Sequence, residues 1–586
     1  MRKLLRYMSR YWWQIVVLFA GLGVQVWSSL QLPDMMSQIV NDGIVGGDQD
    51  FIITQGLLML LVTLAGGVGM VLAGYFAARV GADLARQLRE DVFTKVMSFS
   101  INEIDKFSTS SLITRTTNDV TQIQMVTTMV LRMSCQAPIM GVGAIVKALG
   151  TAPGMSWIIM LAVAALLVVI VTVFTMALPK FKILQKLVDK LNLVTRENLT
   201  GLRVVRAFNN EHHEEKKFDD ANVELTKVNL FINRVMVVMF PFVQLILNFT
   251  TLLVIWVGAS YIDSGAIEIG NMMAFMQYAM QVMMSFMFLT MAFIMVPRAV
   301  VSWKRITEVV DTPLSIKPAK KPKKAKNSLR GTVEFKNVSF AYEGADEPVL
   351  KGISFVARAG QTTAFIGSTG SGKSTLINLV PRFYDVTQGR VLVDGVDVRD
   401  YDQKDLMSKI GYVPQKGVLF SGTVESNIAF GAADIGGKQV HKAAKIAQAY
   451  DFVEKLDGKF GAHIAQGGSN VSGGQKQRLS IARAVAKDPE IYIFDDSFSA
   501  LDFKTDLALR SALKPVTKSS AVLVVAQRVG TIKHADQIVV LDKGKVVGVG
   551  THQNLIKNCE VYKEIAASQL SEDELNTELQ LAEETA

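Results

Sequence analysis

Residues 367–374 read GSTGSGKS, and they decide what the second half of this chain folds into. The stretch satisfies G-x-x-x-x-G-K-[ST], running Gly367, Ser368, Thr369, Gly370, Ser371, Gly372, Lys373, Ser374. An apolar run read as strand, Thr363–Ile366, precedes it, and a helix-like run, Thr375–Leu379, follows, which is the setting the motif requires. Glycines let backbone N–H groups close around phosphate oxygens, and the helix start adds the positive end of its dipole. The motif predicts Lys373 at the β- and γ-phosphates and Ser374 on Mg²⁺, with Thr375 completing the nucleotide-binding run. Tyr342, on a loop upstream, has the position either to stack on adenine or to pack as an ordinary strand-end aromatic.

Outward from this loop the texture is uniform. From Gly331 onward, short β-branched strands alternate with amphipathic helices and glycine turns, an α/β pattern over about 240 residues (331–570). The segment before it, DTPLSIKPAKKPKKAKNSLR (311–330), is rich in Lys and Pro and reads as a tether. Its lysines suit either anionic lipid or a solvated linker. The tail after it (571–586) is acidic and reads as a frayed helix of no assignable role.

The first 310 residues differ in kind. The whole chain has 586 residues, 49% hydrophobic and 20% charged, with a mean hydropathy of +0.27. Several domains are expected, with membrane spans attached to a soluble part. Six stretches are long and apolar enough to cross a bilayer: about 11–32, 51–80, 130–150, 157–178, 235–262 and 272–296. The basic, apolar N-terminus has no cleavage site near Gln31–Pro33 and reads as a retained first span. Connections at Pro33–Asp50, Thr151–Ser156 and Asp263–Asn271 are short and lack Lys and Arg. The long segments Gly81–Thr128 and Lys180–Arg234 carry many, so both termini and both long loops are predicted to be cytoplasmic. These loops are helix-compatible and polar, so the spanning helices should continue beyond the membrane. The net charge of +9 is spread beside apolar segments and reads as a membrane-surface bias, not as a nucleic-acid site. Two distant cysteines, Cys135 and Cys559, allow neither a disulfide framework nor a zinc spacing.

A second glycine-rich helix start follows in the soluble part. VSGGQ (471–475) precedes the basic helix Lys476–Val485, offering another phosphate-binding end. One nucleotide does not need two such ends from one chain, which hints at a dimer. Next comes IYIFDD, a buried strand ending in Asp495 and Asp496, with Asp495 placed as the Mg²⁺ ligand.

The order Tyr342, GSTGSGKS, Gln415 in GYVPQ, VSGGQ, IYIFDD, SALD and AQR resembles the nucleotide-binding domain of ATP-binding-cassette transporters. Six spans followed by one such domain resemble an exporter half-transporter. FSINEIDKFSTSSLITRTTNDV and ENLTGLRVVRAFN are similar to that family's cytoplasmic loops. The fold expected is an all-α membrane domain with long cytoplasmic helix extensions, then an α/β P-loop ATPase domain. The resemblance implies two such domains packed head to tail around two MgATP. Each site would take its P-loop and acids from one subunit and Ser472, Gly473, Gly474 and Gln475 from the other. It implies Gln415 as a further Mg²⁺ ligand and catalytic residue, and places Asp502 of SALD among the catalytic residues. Segments near Ile101–Phe107 and Ala207–Glu211 would carry motion to the spans.

The chain departs from the family at two catalytic positions. Asp496 stands where a glutamate polarises the attacking water, and one methylene less withdraws the carboxylate by roughly 1.5 Å. Gln527, in AVLVVAQRVGTIKHAD, stands where a histidine contacts the γ-phosphate, and it cannot carry positive charge. Ser497 and Phe498 also differ from the usual neighbours. The expectation is a site that binds MgATP and hydrolyses it slowly. With VSGGQ intact, that suits a heterodimer whose other half supplies a competent glutamate and histidine.

For the cargo, Met276, Met280, Met283, Met287 and Met291 recur on one face of the last span. They suit a promiscuous apolar pocket, or equally helix packing and lipid contact. Gln244, Asn248, Gln277 and Gln281 lie at membrane depth, facing a cavity or a partner helix. Lys147, near the outer end of the third span, is expected to snorkel to the interface. Hydrophobic or amphipathic cargo follows, as a multidrug exporter. Alternatives are a lipid or peptide exporter, a siderophore importer on the exporter fold, or an ATP-gated channel or regulatory subunit.

Overall fold

The computed structural model describes residues 7–325, 327–431 and 434–584. The basic start of the chain (Arg2, Lys3, Arg6), Lys326 of the linker and the last two residues fall outside these described residues. Two compact units result, one comprising residues up to Met97 with Thr109–Thr312, the other Ser98–Ser108 with Pro313 onward.

Among the described residues, the first unit has six helices long and apolar enough to span a membrane: Trp12–Val45, Gln49–Met97, Thr109–Thr151, Pro153–Thr200, Glu211–Asp263 and Ile269–Asp311. All exceed the roughly 20 residues a bilayer needs, so they project beyond it. Proline sits inside five of them, at Pro33, Pro138, Pro179, Pro241 and Pro297. A neighbouring helix can supply the missing hydrogen bond: the Ser29 carbonyl, freed by Pro33, accepts from Gln281 Nε2 at 2.9 Å.

Three expectations about this unit change. The first helix does not stop at Pro33 but runs to Val45, leaving only Gly46–Asp48 as the connection. Polar residues beyond Pro33 have partners on the last helix: Ser37 Oγ donates to Asn271 at 2.7 Å and Asn41 Nδ2 to Glu268 at 2.5 Å. Nor does Lys147 snorkel. Its ammonium lies 2.6 Å from Asp34, a carboxylate that also accepts from the buried Tyr278 hydroxyl. An ion pair with two donors outweighs a stretch toward water at the interface. The methionine stripe, finally, is not one open face, since Met283 is 4% exposed and Met280 49%. Gln281 donates to the Ser29 carbonyl at 2.9 Å, which places it against the first helix.

Strands dominate the second unit. A six-stranded sheet has the order Lys545–Gly550, Gln537–Asp542, Thr362–Gly367, Ala521–Val525, Ile491–Asp495, Ile410–Val413. Its first pair is antiparallel and the rest parallel. A four-stranded antiparallel sheet, with Val333–Phe340 at its centre, packs beside it. Period-2 alternation divides the acidic strand between two cores. Ile491 and Ile493 face the four-stranded sheet, while Tyr492 and Phe494 face the helical layer. Buried on both sides, the strand reads as a continuous apolar run.

The linker is not a free tether. Ser315 N–H donates to Glu103 at 2.8 Å, Arg382 donates to the Lys317 carbonyl, and Lys323 binds Asp400 through backbone and side chain. A proline-rich segment needs no core of its own when a folded surface supplies its hydrogen bonds. Glu103, buried, also closes a capping box with Ser100 that starts the helix Ile101–Phe107. The acidic tail likewise has a place. The helix Glu572–Glu584 lays Leu575 and Leu579 on the core, and Glu578 lies 3.4 Å from His552 and 3.6 Å from Lys533.

Candidate active site

Parallel order brings four strand ends together. The strand Ala521–Val525 lies between Thr362–Gly367 and Ile491–Asp495, and Ile410–Val413 flanks the last. Their carboxyl ends therefore deliver the glycine loop, Gln527, the two aspartates and Gln415 to one edge, where open α/β sheets bind ligands.

The loop's glycines are sterically required. A Cβ at Gly367 would sit 2.1 Å from the Leu541 carbonyl oxygen, and Gly372 has φ +95°. Ser368, Thr369 and Gly370 are exposed along the rim, and Ser371 is buried beneath them. Lys373 Nζ donates to the Gly367 and Ser368 carbonyls at 2.9 and 2.8 Å. Burial lowers its pKa, against the pull of Asp496 and Asp495. Tyr342 turns its hydroxyl to Thr375 at 2.9 Å and packs edge-on against Phe340 and Tyr384.

The two aspartates differ in their partners. Ser374 Oγ donates to Asp495 Oδ1 at 2.8 Å. Asp496 Oδ2 accepts from both Gln527 Nε2 at 2.9 Å and Gln415 Nε2 at 3.3 Å. Burial raises both carboxyls above their ordinary range, with hydrogen bonds opposing it. The Asp496 backbone is left-handed, φ +45°, and its N–H donates to the Val525 carbonyl at 3.0 Å. Asp adopts this region more readily than most residues, a local reason for it here. Gln527 thus meets the neighbouring acid, which sequence reasoning did not foresee.

The remaining departures have packing reasons. Ser497, fully buried, donates to the Val413 carbonyl at 3.0 Å, and Phe498 packs on Phe494. Asp502 lies at the start of the next helix. It caps the helix Phe503–Leu513, accepting from Thr505 N–H and Oγ1, which hold its pKa below the usual carboxylate range. Ser472 caps the helix Gly473–Ala486 in a reciprocal box with Gln475, leaving Ser472 and Gly473 exposed.

The oxygen set Ser374, Asp495 and the free Gln415 Oε1 suits a hard cation such as Mg²⁺. Gln569, which sequence reasoning missed, bonds the backbone on both sides of Arg528. Nothing in its sequence context signals this.

Two family descriptions match the sequence: "ABC transporter transmembrane region" over residues 15–286 and "ABC transporter" over residues 350–499. The chain is similar to an uncharacterized ABC transporter ATP-binding protein of Mycobacterium tuberculosis, 42% identical over 93% of this chain and 94% of that protein. It is 34% identical to an ATP-dependent lipid A-core flippase of Pseudomonas aeruginosa, over 88% of this chain and 85% of that protein. The solved structure of a bacterial Atm1-family ABC exporter with ATP bound matches at TM-score 0.80 and 26% identity, over 96% of this chain and 99% of that one.

Proposed function

The chain belongs to the ABC transporter family as an exporter half-transporter of the cell membrane, and on that premise we propose that it works as the slow half of an asymmetric heterodimer. It drives efflux of hydrophobic or amphipathic compounds, and its own site holds MgATP while hydrolysing it slowly. The observation that carries this reading is the pairing of the two departed residues, with Gln527 Nε2 donating to Asp496 Oδ2. The neutral amide orients the acid's carboxylate but cannot lengthen its reach, and while committed to the acid it gives the phosphate no charged donor.

On binding, Lys373 exchanges the Gly367 and Ser368 carbonyls for phosphate oxygens, and the loop amides close around them. Tyr342 offers its ring to adenine. Ser374, Asp495 and Gln415 would hold Mg²⁺, which when bound neutralises phosphate charge. Asp496 then accepts a proton from water at a reach shortened by one methylene. Asp502 serves as the cap that fixes the turn after the acids.

Ser472, Gly473, Gly474 and Gln475 open a helix whose start is exposed at Ser472 and Gly473, as a group acting in the partner's site would be. Phe208, at the turn after the helix Leu202–Ala207, is 79% exposed, an apolar side chain suited to a second subunit. That partner is a second half-transporter with the competent glutamate and histidine. For cargo, Met276, Met280, Met287 and Gln277 are wholly or partly accessible, and Gln244 and Asn248 are exposed and bonded to each other. A lipid cargo is the second reading, favoured by the similarity to a lipid A-core flippase.

The test is the complex captured from native membranes through a tag on this chain. Asp496→Ala retains most of its ATPase activity, whereas Ser472→Arg nearly abolishes it. Equal and complete loss from both, or capture of a second copy alone with full activity, refutes the asymmetric reading.

A further inference from the structure

The loop that carries Gln527 is held from behind. Gln569 lies just past the helix Glu560–Ala567, and its side-chain amide uses both ends: Oε1 accepts from Val529 N–H at 2.8 Å, and Nε2 donates to the Gln527 carbonyl at 2.8 Å. One planar group thereby fixes the backbone on either side of Arg528. Only a primary amide offers a donor and an acceptor at this spacing, and asparagine is one methylene short. Ionised glutamate would still accept from Val529, but it would set a negative oxygen against the Gln527 carbonyl.

The base under Gln569 is rigid. Tyr562 and Ala566 are fully buried, and the Tyr562 hydroxyl pairs with His552 Nδ1 at 2.7 Å. The far end of the same segment is held too. The helix Val529–Ile532 leads into Lys533, which pairs with Glu578 at 3.6 Å on the C-terminal helix. Gln569 itself is exposed and contributes nothing to the core. Its hydrogen bonds run in series with those of the site: Gln569 fixes the Gln527 backbone, and the Gln527 side chain donates to Asp496.

We infer that Gln569 is a positioning residue for ATP hydrolysis, setting where Gln527 stands and, through it, the Asp496 carboxylate. This rests on the reading of Asp496 and Gln527 as the water-facing pair. Losing both bonds frees the loop to sample positions from which the amide misses the acid, so turnover falls while nucleotide binding at the glycine loop is untouched.

The experiment uses the full-length chain in lipid nanodiscs, as wild type, Gln569→Ala and Gln569→Glu. Hydrogen–deuterium exchange reads the Val529 amide, and single-turnover cleavage of radiolabelled ATP gives rate and half-saturation. Gln569→Ala should speed Val529 exchange and slow cleavage, each about five- to tenfold, with half-saturation within about twofold. Gln569→Glu should keep Val529 protected yet still slow cleavage, which a merely structural bond to Val529 would not do. Unchanged exchange in Gln569→Ala, or faster exchange with unchanged cleavage, overturns the inference. The same substitution in an Asp496→Glu/Gln527→His chain separates the two claims. If that background fails to gain turnover while Gln569→Ala still slows cleavage, the slow-site reading falls and the positioning role stands.

Discussion

Restoring the family pair should wake this site. In the Asp496→Glu/Gln527→His chain, glutamate extends the carboxylate by about 1.5 Å, and a misplacement of ~1 Å costs ~10²-fold. Replacing a neutral donor by a charged histidine is worth roughly 1 kcal/mol more per hydrogen bond, or about fivefold. Against that, the present Gln527–Asp496 bond of 2.9 Å and the Gln415 bond of 3.3 Å must be given up. They offset about 1 kcal/mol, again about fivefold. The net expectation is a gain of about 10²-fold in single-turnover hydrolysis, with ATP half-saturation little changed because the glycine loop is intact. Asp496→Glu alone should gain less, since Gln527 and Gln415 still engage the acid. The assay is cleavage of radiolabelled ATP by the full chain in nanodiscs. A wild-type rate already equal to that of the double variant would refute the reasoning.

Other outcomes follow from particular contacts. Asp34→Ala leaves Lys147 and the Tyr278 hydroxyl without their shared partner, and should cost about 1–3 kcal/mol in thermal unfolding of the chain in detergent. Exchanging the charges, Asp34→Lys with Lys147→Asp, should recover part of it. Glu103→Ala removes the cap of Ile101–Phe107 and the bond to Ser315 together, so it should lower transport per ATP hydrolysed more than ATP binding. Burial depresses the His552 pKa below its ordinary value near 6.5. Between the depressed value and about 6.5 the unfolded chain holds more protons, so ATPase-domain stability rises with pH through that window and levels above it. Melting temperatures measured across this range in wild type and His552→Phe check this, the variant giving a flatter profile.

How much of this was legible depended on whether a residue's role is local. GSTGSGKS, VSGGQ and IYIFDD carry their strand and helix context with them, so the strand–loop–helix around Lys373, the helix start after VSGGQ and the buried acidic strand could be read directly. The six spans are a matter of length and apolarity, though Pro33 hid twelve further residues of the first helix because their partners, Asn271 and Glu268, lie on the last helix and at its cap. Lys147 was misread for the same reason, its partner Asp34 being on another helix. Asp496 and Gln527 were visible as departures, but their mutual hydrogen bond arises from two neighbouring strands. The Ser100-x-x-Glu103 capping box was a local signal that went unused. Gln569 had no signal, since its partners are backbone groups some 40 residues away.

The most direct measurement is the fate of ATP bound to the full-length chain purified alone, in nanodiscs with Mg²⁺. The chain should take up nucleotide and keep it as ATP, with turnover far below the ~1 s⁻¹ at the lower end of ordinary enzymes. Turnover at or above that rate by the chain without a second half-transporter would contradict it.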